Sequence, residues 1–431
     1  KIDLDHSTIA AQANAPGGNA GDVVIAGVNQ LLLDQSSEIA VSTLTGTAGD
    51  ISINSTIAPA ESIEVKGDSS INAQATGDDG NAGRISLGTR SLTLTNGQIT
   101  ASNRSGQSGD ITVNRLNRLE SNDGLITTST ESGIAGSIRI DAKEGNNPAI
   151  LLSGVSDSDG DGRDRLPTDG IIAEATNGGS AGAISLTSPL VSVSEGARIS
   201  TTVAGNNANA SAGSVTVNTR QLVLADPTSG IFAETTGAAD AGNLTVQPDQ
   251  GRSLAIDFAR GAQISAATSG KVNGGNLILN GRDVLGLQGN GRIRVSSTGT
   301  GAAGELQLNT NQLILANGVE LSAATISSDG SPVELIDLDQ PLDVINTRIT
   351  ASTVDGNAGS LIIRAPSIRL SGVFSDENGR PIVDEDNNVQ PAGLFAEATG
   401  MGNAGFIAIS TPGRFTVENG AQATISTEAG T

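Results

Sequence analysis

Asn81-Ala82-Gly83-Arg84-Ile85-Ser86-Leu87-Gly88-Thr89-Arg90-Ser91-Leu92-Thr93-Leu94-Thr95-Asn96-Gly97-Gln98-Ile99-Thr100-Ala101-Ser102-Asn103 decides the fold. Three apolar bursts stand in it: Ile85 and Leu87, Leu92 and Leu94, then Ile99 and Ala101. Each alternates with Ser, Thr or Arg, so each has the period of two that puts apolar side chains on one face of a strand. The richness in Ile, Val and Thr favours extended chain. Frequent Gly, Ser, Thr and Asn, with no 3.6-residue period, argue against helices.

The same three bursts return as Val215/Val217, Leu222/Leu224, Ile231/Ala233, and again as Leu306/Leu308, Leu313/Leu315, Leu321/Ala323. An Ala-Gly-x-Ile-x-Ile corner, with variants, recurs at Gly21, Gly49, Gly83, Gly109, Gly136, Gly182, Gly213, Gly242, Gly275, Gly304, Gly359 and Gly405. The usual spacing, roughly 26 to 34 residues, lies in the range of stacked supersecondary repeats. One such unit cannot bury its apolar face alone; stacked, each strand pairs in parallel with its equivalent one coil away. The expectation is an all-β chain: a right-handed parallel β-helix (β-solenoid) of about 13 coils with three short strands each, some 60 Å long at about 4.8 Å per coil. Residues 1–431 should form a single continuous β-helix.

Local chemistry refines the picture. Small inward residues in the third strand, as in Ile71-x-Ala73-x-Ala75 and Ile349-x-Ala351, suit a narrow corner where Leu would overpack. The corner Gly is expected to supply positive φ or close backbone approach. Asn19, Asn81, Asn357 and Asn403, which precede that corner, are expected to serve as turn residues tolerant of left-handed backbone.

Composition excludes several functions. A formal charge of −22 disfavours nucleic acid, which demands clustered Lys and Arg. Cys, Trp and Tyr are absent and Phe numbers six, so disulfides, thiolate metal sites and most sugar-stacking platforms are ruled out. No apolar run is long enough to span a bilayer as a helix. The chain starts and stops within repeats, without evident caps, which suggests a segment of a longer product or a subunit whose ends neighbours cover. His6, the single histidine, has no partner for catalysis and reads as an exposed strand residue. Glu174, Glu234 and Glu397 share an outward position in three coils and read as solvent-facing rather than as a hydrolytic pair. The chain is therefore expected not to be an enzyme.

Three insertions interrupt the repeat, at about 155–169, 327–344 and 374–391. The first and third both run into near-identical third strands, Gly170-Ile171-Ile172-Ala173-Glu174 and Gly393-Leu394-Phe395-Ala396-Glu397, and so should project from the same edge. Asp157-x-Asp159-x-Asp161-Gly162 matches the opening of a calcium loop, in which alternate carboxylates converge on a hard cation and Gly permits the turn. Thr168 stands where the closing Glu is usual, leaving Asp164 or Asp169 to close a structural Ca2+ site. A solvated acidic turn is the competing reading there. The other two insertions are acidic without a ligand register and read as solvated loops.

With the unit Gly-Asn-Ala-Gly-x-Ile-x-Ile … Leu-x-Leu … Gly-x-x-Ile-x-Ala-x-Thr assembled, the chain resembles the repeat region of filamentous-haemagglutinin-like exoproteins of the cyanobacterial type. Asn81 to Asn103 and Asn357 to Leu370 carry the resemblance best. It implies a right-handed β-helix exported through a partner transporter to the surface of a Gram-negative-type bacterium, acting as adhesin or filament. The family's secretion domain, with its Asn-Pro motifs, is not seen in this sequence. Two partners follow as expectations: further copies, stacked end to end into a filament, or a cell-surface glycan or receptor bound by the loops.

Overall fold

The computed structural model describes residues 1–154, 169–270, 272–326, 330–335, 338–376, 378–384 and 386–427. Among them there is no helix, and so none long and apolar enough to cross a membrane. The chain is a β-solenoid of about 14 turns built from parallel sheets. It divides into two compact units: Lys1–Asn218 with Thr236–Ala239, and Thr219–Thr235 with Asp240–Thr431.

In the first unit, equivalent residues stack coil upon coil. Ile51, Ile85, Ile111, Ile138, Ile184 and Val215 form one such file down the first strands. Ile9, Ile39, Ile71, Ile99, Ile126, Ile171 and Ile199 form another down the third strands. Nearly every inward residue from the third coil on is fully shielded, and each large one contributes about 1.5–3 kcal/mol by leaving water. Ala73, Ala101 and Ala173 occupy the narrow inward position of the third strand at 0% exposure, as expected.

The second unit repeats the pattern: Leu277, Leu306, Val333, Leu361 and Ile407 stack in the first strands. Ile264, Ile293, Leu321, Ile349 and Leu394 do so in the third. Here 327–344, expected as a loop insertion, instead holds strands Val333–Leu335 and Leu342–Ile345. They pair with Leu361–Arg364 and Ile368–Ser371 and supply an ordinary coil that the count of about 13 left out. Its corner reads Gly330-Ser331-Pro332 in place of Ala-Gly. Pro332 and Pro341 immediately precede the two strands, where no ladder donor is lost.

The corner glycines act by close approach, not by positive φ. A Cβ on Gly83 would lie 1.8 Å from the Gly49 carbonyl oxygen, and one on Gly136 would lie 2.0 Å from that of Gly109. Left-handed backbone sits in the other turn, ahead of the third strand, at Asp68, Asn96 and Asp123 in the first unit and Asn317, Asn346 and Asn419 in the second.

The corner asparagines correct the expectation made for them, because none has positive φ. Their side chains bridge coils instead. Asn19 Oδ1 accepts from Thr47 N (2.8 Å), and Asn81 Oδ1 from Gln107 N (2.8 Å). Asn357 and Asn403, though 46 residues apart, lie in adjacent coils, where Asn403 Nδ2 donates to Asn357 Oδ1 (2.8 Å). A second file just past the corner does the same: Asp50 N donates to Asp22 Oδ1, and Arg84 N to Asp50 Oδ1, both at 2.8 Å. In the second unit Asn276 N reaches Asn243 Oδ1 (3.0 Å) and Glu305 N reaches Asn276 Oδ1 (2.9 Å). These side-chain amide and carboxylate oxygens satisfy backbone donors that the turn takes out of the ladder.

Candidate functional site

Asp157, Asp159, Asp161 and Asp164 lie outside the described residues. Asp169 is described, and it enters third strand Gly170–Ala175 at the corner between second and third strands of the first unit. Stacking brings Asp123 and Glu195 to that corner from the coils on either side. The second strands Arg118–Asn122, Ala149–Ser153 and Leu190–Ser194 pair in register, as do Leu125, Gly170 and Arg198 at the start of the third strands. Asp123 and Glu195 both adopt left-handed backbone, with φ of 52° and 53°, and so turn the chain at the same place.

Hydrogen bonds hold this corner. Asp123 N donates to Ser153 O (2.9 Å), Arg198 N to Asp169 O (3.1 Å) and Gly154 N to Ser194 O (3.2 Å). Ser153 Oγ donates to Glu195 Oε2 (2.7 Å). Burial pushes the Asp123 carboxyl above its ordinary 3.8, and the negative charges of Asp169 and then Glu195 push it further the same way. Like charges on three successive coils raise the local attraction for a cation. Even so, among the described residues no three His, Cys, Asp or Glu side chains stand close enough to hold a metal ion. Asp123 and Glu195 escaped the sequence reading because only the coil length, counted across an insertion, places them beside Asp169.

The third insertion lies in the second unit between Ile368–Ser371 and Gly393–Ala398. Antiparallel bridges Val373–Pro391, Ser375–Pro381 and Val383–Val389 fold it into hairpins. Its acidic residues serve their own turns. Asp376 Oδ1 accepts from Asn378 N and Arg380 N, and Asp384 Oδ1 accepts from Asp386 N and Asn388 N, all at 2.8–3.0 Å. The backbone bond from Asn388 leads in holding the Asp384 carboxyl below its ordinary value. The insertion also folds against the sheet: Gln390 Oε1 accepts from Arg348 (3.4 Å), whose guanidinium lies 4.2 Å from the ring centre of Phe395.

The remaining sequence candidates are dispersed. His6 is exposed, has positive φ, and bonds through Nδ1 to Asp5 (2.8 Å); it lies in the bend after Ile2–Asp5, not in a strand. Glu174 sits on the outer side of its strand, and burial alone raises its carboxyl pKa. In the first unit a shallow cleft of about 430 Å³ follows the Gly-rich corners, lined by Asn81, Gly106, Gly133, Ile134, Gly179 and Asn207 among others, all neutral. No protein family, curated protein or solved structure matches the chain.

Proposed function

We propose that the chain is a non-enzymatic extracellular structural protein, a subunit or segment of a bacterial surface fibre, filament or sheath. The observation that supports this best is the residue-on-residue register within each unit. Ile is laid on Ile and Leu on Leu, and a side-chain oxygen bridges coils at the corner. Interactions repeated along one axis resist extension and shear together, which suits a load-bearing element more than a reaction vessel. The terminal strands Phe415–Glu418 and Gln422–Thr427 leave Val417 and Ile425 at 43% and 52% exposure. A further coil, from the same polypeptide or a second copy, would continue that edge by parallel pairing. Electron microscopy and sedimentation of the chain at rising concentration, with calcium present, test the assembly: fibres are expected, and a monomer at every concentration refutes end-to-end stacking.

The second reading is an adhesin segment that contacts a surface glycan or receptor through its loops. The ordered hairpins of the third insertion favour it, since their fixed Asp and Asn turns present a formed surface. Deleting 376–390 should abolish adhesion while the circular dichroism of the sheet persists; unchanged adhesion refutes it. A structural Ca2+ is proposed with either reading, held by the insertion that carries Asp157-x-Asp159-x-Asp161-Gly162, with Asp164 or Asp169 closing the site.

A further inference from the structure

One junction between coils of the second unit is weaker on two faces than on the third. Toward the coil before them, strands Val333–Leu335 and Leu342–Ile345 pair in register only as Leu306 with Val333, Gln307 with Glu334 and Leu315 with Val344 among the described residues. That earlier coil is itself paired backward almost without a break, against Leu277 to Gln288. Leu306 N reaches Pro332 O at 3.4 Å, whereas the equivalent bonds one coil to either side, Leu277 N to Glu305 O and Val333 N to Ser360 O, are both 2.9 Å. Inward Leu313 and Leu315 keep 3% and 4% exposure where Leu285, Leu287, Leu342 and Val344 keep none, and outward Ile314 is 47% exposed. The third strands, by contrast, are closed: Glu320 to Thr325 pair with Arg348 to Thr353 at every position, and Thr325 Oγ1 donates to Thr353 Oγ1 between them (2.9 Å).

Two half-buried carboxyl groups meet across the loose side, on the outer face of the first strands. The Glu334 carboxyl hydrogen-bonds to that of Glu305, which also accepts from Gln307 Nε2 (2.8 Å). Two carboxyl groups can make such a bond only while they hold a proton between them. The charged groups facing Glu334 are Glu305 from the coil before and Arg364 from the coil after; its register neighbours Gln307 and Ile362 are neutral. We propose that the second unit carries a hinge at this junction, pivoting on the third strands and held shut by the proton that Glu305 and Glu334 share. With both groups ionised, like charges face each other on coils about 4.8 Å apart, at the place where fewest ladder bonds resist separation. Each coil touches only its neighbours, so the opening stays local. Burial, then the charge of Glu305, raises the Glu334 carboxyl above 4.5, and the pull of Arg364 opposes them. The lock is therefore complete below pH 4.5 and is lost as pH rises through the higher folded value. The hinge stands apart from the fibre and adhesin readings, since it needs neither assembly nor ligand.

The test is hydrogen exchange on the full chain, expressed as protection relative to free peptide at each pH. From pH 4.5 to pH 7 the Leu306 amide should lose about tenfold or more of its protection. The amides of Leu277, Leu361 and Val354, which lie in intact ladders or across the pivot, should keep theirs. E334Q should remove the pH dependence at Leu306, and E305Q, which still accepts from Gln307, should do the same and serves if E334Q misfolds. E320Q takes one charge from the third-strand face, where Glu320 pairs with Arg292, and should leave the Leu306 response unchanged. Equal protection of Leu306 at both pH values, or a fall that persists in E334Q and E305Q alike, overturns the proton lock. Loss of Val354 protection in step with Leu306 overturns the pivot.

Discussion

Replacing Gly83 with Ala should be far more damaging than the same change at Gly286, although neither has positive φ. The added Cβ at Gly83 would fall 1.8 Å from the Gly49 carbonyl oxygen and 2.6 Å from its carbon, both backbone atoms that no rotamer change can move. The coils must part at that corner. Doing so strains the bonds from Ala48 N to Asn81 O and from Ile51 N to Arg84 O, each 2.8 Å long. Overpacking at about 1–3 kcal/mol and two backbone hydrogen bonds at about 1 kcal/mol each bring the loss to about 3–5 kcal/mol. The smaller unfolded-state entropy of Ala returns about 0.4–1 kcal/mol. At Gly286 the built Cβ meets nothing nearer than the Leu254 carbonyl oxygen at 4.0 Å and φ is not positive, so only that entropic gain remains and G286A should be neutral or slightly stabilising. Solenoids open locally, so hydrogen exchange at the amides of Ala48 and Ile51 is the direct readout, with urea unfolding beside it. Unchanged exchange at both amides in G83A, or equal destabilisation by G83A and G286A, would refute the close-approach argument.

Other expectations follow from single groups. Asn276→Ala removes the acceptor for Glu305 N and should cost about 1 kcal/mol, read as faster exchange of the Glu305 amide. Asp226 is opposed by burial, the largest single influence, but hydrogen bonds from Ser229 and Thr228 together hold its carboxyl below the ordinary 3.8. Its contribution is therefore complete above pH 3.8 and lost as pH falls through the lower folded value, so D226N should flatten the acid limb of the stability profile. Glu334 runs the other way: burial first, then Glu305, raise it above 4.5, against a smaller opposing pull from Arg364. The folded state then binds the proton more tightly, and stability declines as pH rises from 4.5 through the folded value. E334Q should remove that decline and be the more stable protein at pH 7 by urea titration. Calcium should raise the melting temperature of the wild-type chain and do so less for Asp169→Asn; an equal rise in both refutes a role for Asp169 in closing the calcium loop.

The alternation of Ile85 with Leu87, and of Leu92 with Leu94, was enough to read strands, pairing partners and inward faces from sequence. Period two and a recurring corner are local signals, and each survives in a single repeat. What the sequence hid depended on which coils become neighbours. Asn357 and Asn403 look scattered along the chain, yet the insertion between them occupies one coil, so they bond. Asp123, Asp169 and Glu195 share a corner for the same reason. The coil of Val333 and Leu342 went unread because Gly330-Ser331-Pro332 replaces the usual corner and acidic residues surround short strands.

Thr130 aligns with Ala175, 45 positions further along, while Asn103 aligns with Thr130, only 27 further along, and the register on both sides is the same. The long insertion of this coil is thus taken up at one seam, ahead of the third strand, and the glycine-on-carbonyl packing at the next corner, Gly182 against Gly136, keeps its register. Evolution can lengthen, shorten or recharge whatever is displayed at that seam without renegotiating the interior. Variation between related chains should accumulate there, while the corner glycines stay fixed.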